Sequence, residues 1–336
     1  MKKLFVLLLI GLIPVCVRAQ APPPPPPPEA LAPETASATP APSTPAVTAP
    51  QESEHEHDEA LPDELKHASL AKVFGLDFMQ RALVAGLAVG LVSAYLGVFV
   101  VLRRVVFVGM ALAQFSSAGV ALGLLLGLAP LLGSIGMMLV GVFLLSLRWS
   151  PRKVRQDTVI GLGYVLASAV TILLLAKNPR GETQLLDLLS GNIITVTAAD
   201  TLLTIGALVV VFVLHRLFAK ELLFISFDPD TAQAAGYNTR LWETLLTLSI
   251  GTAIAFSIHA VGILLTFGTL VIPAVSALLL TKRISHTFIL AAVLGAIPIP
   301  VGLYLSFIWD FSPGAMIVAL SAALLTVCGL LSKVRS

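Results

Sequence analysis

Apolar runs of membrane-spanning length repeat along the chain from about residue 78 onward, and short charged or Pro/Gly-containing breaks separate them. Each run is about as long as a helix must be to cross a hydrocarbon core of about 30 Å at 1.5 Å per residue. The pattern predicts an all-α polytopic transmembrane helical bundle. The nine predicted spans are 81–102, 106–129, 131–148, 158–176, 200–218, 242–258, 261–281, 287–308 and 314–332.

Composition supports this class of protein. Hydrophobic residues make up 57% of the 336 residues and charged residues 12%, whereas a soluble domain is about 25% charged. The net charge of +2, with no separate basic patch, excludes a nucleic-acid binder. Cys16 and Cys328 are too few and too far apart for a disulfide framework or a CxxC metal site.

Glycines at four-residue spacing occur within two of the predicted spans, at Gly86 and Gly90 and at Gly119 and Gly123. Small residues on one helix face let two backbones approach closely, which is one way that helices associate in lipid. We therefore expect these spans to pack compactly.

The first 75 residues differ in composition from the spans. Residues 1–19 carry two lysines, a short apolar stretch and small residues before the end of the segment, which is typical of a cleaved signal peptide. An uncleaved anchor helix is the alternative. Residues 20–75 are rich in proline, alanine and then acidic residues, and are predicted to be a disordered extracytoplasmic linker. The transmembrane domain then comprises 76–336.

Two histidines of the linker, His55 and His57, alternate with acidic residues. Imidazole and carboxylate groups bind divalent cations, so this stretch is a candidate metal site of low affinity. Ordering a flexible tail opposes binding, and a solvated polar linker is the alternative interpretation.

Basic residues are distributed unevenly between the connections. One alternate set of connections carries thirteen, and the opposite set carries only Lys177 and Arg180. Because Lys- and Arg-rich loops stay in the cytoplasm, the N-terminal tail is predicted to be extracytoplasmic and the C-terminus cytoplasmic. An uncleaved anchor would add a tenth span and place both ends inside. The thirteen are Arg103, Arg104, Arg148, Arg152, Lys153, Arg155, Arg216, Lys220, Arg240, Lys282, Arg283, Lys333 and Arg335.

The longest of these cytoplasmic loops, 219–241, contains the signals of a short helix. Asp228 can cap the first amides, Pro229 suits the first helical position, and Asp230 complements the positive end of the helix dipole. Gly236 is a natural left-handed stop. A helical run lies between them, consisting of Thr231, Ala232, Gln233, Ala234 and Ala235. Such a helix can dock in a groove of a soluble partner. The alternative is a surface loop that has no partner.

The segment 224–236 resembles the coupling segment of the permeases of bacterial zinc/manganese/iron ABC importers. Three further parts of the chain resemble the same family: 78–83 followed by 97–104 its first span, 107–122 its second, and 261–274, including the proline, its seventh. The likeness covers about residues 75–332 in the family's order, with the leader and proline-rich tail as additions.

This resemblance implies the membrane subunit of an importer that moves a divalent metal ion across the inner, cytoplasmic membrane. It implies a separate ATP-binding cassette ATPase, which would bind ATP and Mg and contact residues 228–236. It also implies an extracytoplasmic metal-binding protein and a second permease copy, identical or related. No cofactor is expected on the chain itself.

The second span departs from the family's pattern. The family usually has Gly-Asp-Ala-Leu-Ala-His there, and this chain has Met110 and Gln114 in place of the Asp and His. A thioether and an amide favour softer or weaker binding than a carboxylate and an imidazole. One interpretation is that the substrate is a different ion from the family's, and another is that the pathway passes the ion without holding it. A third interpretation is that Gln114 serves only in helix–helix hydrogen bonding.

Two further residues are candidates for the translocation pathway. His259 lies in the outer half of the membrane, where it either receives an ion or is an interfacial hydrogen-bonding residue. Pro273 is expected to kink the seventh span.

Several catalytic motifs are absent from the sequence. It contains no G-x-x-x-x-G-K-[ST] phosphate loop, no H-E-x-x-H and no G-x-S-x-G. The chain is therefore predicted not to be an enzyme or its own ATPase. An autonomous secondary carrier or channel, and a non-transporting regulatory membrane protein, are the alternative functions. The scarcity of charged residues within the spans disfavours the carrier.

Overall fold

The computed structural model describes residues 74–147, 156–177, 193 and 197–335, and these ranges are helical apart from short connections. The helices, numbered in chain order, are α1 (Asp77–Leu102), α2 (Val106–Leu126), α3 (Pro130–Ser146), α4 (Gln156–Ala176), α5 (Ala198–Leu217), α6 (Ala219–Phe227), α7 (Pro229–Ala234), α8 (Thr239–Leu280), α9 (Ile284–Ala296), α10 (Pro298–Trp309) and α11 (Pro313–Arg335). The predicted signal peptide, most of the linker, and His55 and His57 lie outside the described residues.

The helices agree with the predicted spans. Seven helical segments of the described chain are long and apolar enough to cross a membrane, with α9 and α10 counted together, and α3 is a shorter apolar helix of 17 residues. Helix α8 has 42 residues and is broken at Gly262, whose φ of 80° and ψ of 173° are not helical. Counting α3 and both halves of α8 gives the nine predicted passes.

The break in α8 lies slightly later than predicted. The sequence pattern divides the two spans at 259–260, whereas the chain leaves the helical conformation at Gly262. The predicted span 287–308 is also divided, because Pro298 opens α10. Ile297 keeps helical dihedral angles between α9 and α10, so the two helices continue one pass.

Glycines bring helix backbones into contact, as the spacing motifs predict. A Cβ at Gly119 would lie 2.1 Å from the carbonyl oxygen of Gly133 in α3, and one at Gly97 would lie 1.7 Å from that of Leu270 in α8. Gly90 packs as closely on α10, where its Cβ would lie 2.3 Å from a side-chain carbon of Ile299. The backbone contacts at Gly119 and Gly97 leave no room for a Cβ, so α2 packs closely on α3 and α1 packs closely on α8.

The connections divide between two ends of the bundle. Helices α1 to α5 alternate in direction. Three connections therefore lie at one end of the bundle: α1–α2, α3–α4 and the segment from α5 to α8. The α8–α9 connection lies at the same end. We call this the basic end. The described basic residues at this end include Arg103, Arg104, Arg216, Lys220, Arg240, Lys282 and Arg283.

Candidate coupling segment and translocation pathway

Helix α7 begins with the predicted cap. Asp228 Oδ1 accepts a hydrogen bond from the Thr231 amide at 2.9 Å, and its Oδ2 accepts one from the Thr231 hydroxyl. Pro229 occupies the first helical turn, where its missing N–H costs no hydrogen bond. These donors hold the pKa of the exposed Asp228 carboxyl below its ordinary value of 3.8.

The helix ends with a Schellman arrangement. The Tyr237 amide donates to the Ala232 carbonyl and the Gly236 amide to the Gln233 carbonyl, each at 3.0 Å. Gly236 has a φ of 83°, a conformation in which glycine carries no steric penalty. The sequence rules for helix termini therefore define this six-residue helix at both ends.

Helix α7 stands almost entirely outside the bundle. Ala232 is fully buried, and the other residues from Asp228 to Asn238 are exposed. Its polar face carries Asp230 and Gln233, and Ala234 and Ala235 add small apolar groups. The helix is held by one methyl group and its caps, and the rest of its surface is available to a partner.

Apolar side chains surround this helix. Phe227 is 52% exposed, and the rings of Phe224 and Tyr237 meet edge to face at a centroid distance of 5.8 Å, each more than a third exposed. Leu241, in the first turn of α8, is exposed to a similar degree. Exposed apolar patches of this kind beside a polar helix are typical of protein interaction sites. We call Phe224, Phe227, Tyr237 and Leu241 the flanking patch.

A cavity of about 810 Å³ opens at the basic end. The ends of α1 and α3 and the starts of α2, α4 and α8 line it. Across it, Arg103 Nη2 donates to Glu243 Oε1 at 2.7 Å. The remaining charged lining residues are Arg104, Asp157 and Arg240. Glu243 is not among the residues predicted from the sequence, where it is a single acidic residue at the start of the apolar run 242–258.

Met110 and Gln114 lie one turn apart on α2 and are half-buried. Neighbouring residues locate their face: a Cβ at Gly109 would lie 3.2 Å from Leu270 of α8, and Phe115 packs on Gly141 of α3. At 100° per residue, Met110 and Gln114 point away from both contacts. Their side of α2 is partly open in the single chain.

Pro273 is buried and packs beside Gly295 of α9. It lies in the second half of α8. Within the whole of α8, Gly262 is the residue whose dihedral angles are not helical. The marked interruption of α8 is therefore at the glycine, and the proline contributes to the contact between α8 and α9.

His259 faces α5 rather than α2. Its Nε2 lies 3.4 Å from Oδ1 of Asp200, in the first turn of α5. Asp200 belongs to a cap, because its amide donates to Thr197 Oγ1 at 3.2 Å and its Oδ2 accepts from that hydroxyl at 2.6 Å. Asp200 is not among the residues predicted from the sequence, although Thr-x-x-Asp at the start of a span is a recognisable capping pattern.

A second histidine, His215, is fully buried near the end of α5. Its Nε2 lies 2.6 Å from Ser249 Oγ of α8, and the rings of Tyr95 and Phe99 pack against it. This contact ties the helix that precedes the coupling segment to the helix that follows it. Within the described ranges, no three His, Cys, Asp or Glu side chains converge as a metal cluster.

Comparison with known proteins establishes the family. Residues 75–332 match the ABC 3 transport family. The manganese transport system membrane protein MntC of Listeria monocytogenes is 32% identical over 241 residues, which are 72% of this chain and 86% of that protein. The manganese import system permease protein ScaB of Streptococcus gordonii is 30% identical over 250 residues, 74% of this chain and 90% of that one.

A solved structure shares the fold. PsaBC from Streptococcus pneumoniae, determined in complex with a Fab, superposes with a TM-score of 0.72 at 26% identity, covering 80% of this chain and 99% of the matched chain. The fold and the family match agree. The chain belongs to the ABC 3 transport family and is the membrane-spanning permease component of an ATP-binding cassette transporter.

Proposed function

We propose that this chain is the transmembrane subunit of an importer that moves a divalent metal ion, zinc, manganese or iron, across the cytoplasmic membrane. The names of MntC and ScaB support a metal substrate and make manganese the first candidate. The observation that carries the proposal is the exposed, doubly capped helix α7 at the basic end of the bundle.

The partner at α7 is a separate ATPase that binds ATP and Mg. Its groove takes the exposed face of α7, and the flanking patch widens the contact. A rigid helix suits this role because its caps preserve its shape while the partner moves. The start of α8 follows α7 directly and carries Glu243, which pairs with Arg103. Movement of α7 therefore reaches the charged cavity at the basic end.

The basic end faces the cytoplasm in this proposal. The excess of Lys and Arg in its connections supports this orientation, and ATP is available on that side. The extracytoplasmic binding protein then delivers the ion at the opposite end. Only contacts that differ between the inward- and outward-open states can shift the balance between them, and ATP binding to the ATPase that contacts α7 supplies such a difference.

A second permease copy completes the pathway. The half-buried face of α2 that carries Met110 and Gln114 is partly open in the single chain. Pairing two such faces would enclose a path between the subunits. Met110 and Gln114 would line it as weak ligands that let the ion pass.

Co-purification tests the coupling proposal. Ala235→Asp puts a charge on the docking face, and Gly236→Pro is incompatible with the φ of 83°. Both variants should lose the ATPase that co-purifies with the unaltered chain. Ser285→Asp, which adds the same charge to an exposed residue of α9 at the same end, should retain it. Retention of the ATPase by all three variants would contradict docking at α7.

Metal content tests the substrate. Cells with and without the gene are grown under limitation of zinc, manganese or iron, and each metal is counted per cell. A selective fall of one metal in the deletion strain names the substrate. An unchanged content of all three, with the protein present in the membrane, would contradict metal import.

A further inference from the structure

We propose that Asp200 and His259 form a cation-loading site, at which a divalent metal ion first binds this chain on the side opposite the basic end. This inference rests on the proposed metal import. It assigns a ligand pair at the junction of α5 and α8, separate from Met110 and Gln114 on α2.

The separation of the two atoms fits a shared cation. Nε2 of His259 and Oδ1 of Asp200 are 3.4 Å apart. That distance is longer than the usual N–H···O range of about 2.7–3.2 Å. A tetrahedral ion bonded to one nitrogen and one oxygen at about 2.1 Å each separates those two atoms by about 3.4 Å. Binding therefore requires little movement of either side chain.

The carboxylate is already oriented. Its Oδ2 accepts the Thr197 hydroxyl at 2.6 Å, which directs Oδ1 toward His259. Hydrogen bonds of this kind to a ligating group fix its direction and raise its effectiveness as a ligand. Because Thr197 and Asp200 belong to one capping motif, the fold of α5 itself sets this geometry.

The site is accessible and suited to release. The side chains of His259 and Asp200 are 20% and 22% exposed. Gly262 interrupts α8 three residues after His259, and carbonyl groups at a helix end have no intrahelical partners. Such oxygens and water can complete the coordination. Two protein ligands bind an ion more weakly than three or four do. Weak binding suits a transport site, because the ion must also leave it.

The competing interpretation is an ion pair that only fastens α5 to α8. A structural pair predicts altered stability in its variants without any Zn²⁺-dependent effect. A loading site predicts that Zn²⁺ itself raises the unfolding temperature of the chain, and that this rise depends on both residues.

The experiment measures Zn²⁺ binding to the full chain in lipid nanodiscs by equilibrium dialysis. All variants carry glutamine at the linker histidines, so that the tail contributes no imidazole; these are His55, His57 and His67. Asp200→Asn and His259→Gln should each weaken binding about tenfold or more. The double variant should lose little beyond either single one, because both residues serve one site. Asp200→Glu should restore most of the affinity.

His286→Gln is the matched control, since this exposed histidine lies at the basic end. It should bind Zn²⁺ as the parent does. Zn²⁺ should raise the unfolding temperature of the parent and of His286→Gln, and not that of His259→Gln. Parent-like Zn²⁺ affinity in both Asp200→Asn and His259→Gln would overturn the loading site. Metal uptake by cells would still stand in that case, so this failure is distinct from failure of the import proposal.

Discussion

Arg103 and Glu243, 140 residues apart in the chain, form an ion pair of 2.7 Å between the end of α1 and the start of α8. The side chain of Arg103 is 13% exposed and that of Glu243 is 39% exposed. Both residues line the cavity at the basic end. The pair therefore connects the first pass of the bundle to the helix that directly follows α7.

We expect this pair to have a measurable coupling energy. Arg103→Ala and Glu243→Gln should each lower the free energy of unfolding, and the double-mutant cycle should give about 0.5–1 kcal/mol, since the pair is only partly buried. Unfolding of the purified chain in detergent supplies the measurement. Glu243→Gln combined with Lys282→Ala, elsewhere at the same end, should be additive. A coupling energy of zero for Arg103 and Glu243 would contradict a stabilising pair.

Close backbone contact predicts an intolerant glycine. A Cβ at Gly119 would lie 2.1 Å from the Gly133 carbonyl oxygen, so Gly119→Ala should push α2 and α3 apart and cost about 1–3 kcal/mol. Gly136→Ala, in the neighbouring helix α3, is the control, because no atom lies within 4 Å of its Cβ position. It should be neutral or gain up to about 1 kcal/mol from helix propensity. Equal unfolding temperatures for the two variants would contradict the close contact.

The parts of the molecule that follow local rules could be predicted from the sequence. The length of apolar runs gives the passes, and Asp228, Pro229 and Gly236 give both ends of α7 because capping depends on residues close in sequence. The break in α8 is harder to locate. No polar loop marks the position of the break. The positive φ at residue 262, which favours glycine there, is visible only in the structure.

Pairs that depend on tertiary packing could not be predicted. His259 was identified as a candidate, but its partner Asp200 is 59 residues away and belongs to the cap of another helix. His215 and Ser249, 34 residues apart, meet only because α5 packs on α8. Nothing in the periodicity of a single apolar run indicates which neighbouring helix it will contact.

The cap of α7 predicts a pH dependence. Thr231 lowers the pKa of Asp228 by donating to the carboxylate, so the ionised form favours the folded helix. This contribution is fully present above the unfolded value near 3.8 and is lost as the pH falls through the lower, folded pKa. Order in α7 should therefore be constant at neutral pH and decline only in acid.

Carbon NMR of the Asp228 carboxyl in the labelled chain measures this pKa. Thr231→Val removes the hydroxyl donor and should raise the pKa toward 3.8. Asp228→Asn keeps a capping oxygen and should remove the acid-dependent loss of order. An unchanged Asp228 pKa in Thr231→Val would show that the hydroxyl does not stabilise the carboxylate.

Two glycines with similar φ should respond differently to asparagine. Gly236 follows the end of α7 in a Schellman arrangement, where asparagine is the usual substitute, and no atom lies within 4 Å of its Cβ position. Gly262 has a φ of 80° and a ψ of 173°, a region that only glycine occupies readily. Asparagine tolerates the left-handed helical region and not this one.

Gly262→Asn and Gly262→Ala should therefore each cost about 1–3 kcal/mol, and Gly236→Asn much less. Thermal unfolding of the three variants in detergent tests the order. Gly206→Ala, in α5 with open space around its Cβ position, controls for the loss of a glycine in a transmembrane helix. Because Gly262 follows His259 by three residues, its variants should also weaken Zn²⁺ binding, whereas Gly236→Asn should not. A Gly262→Asn chain as stable as the parent would mean that α8 does not need this conformation to make two passes.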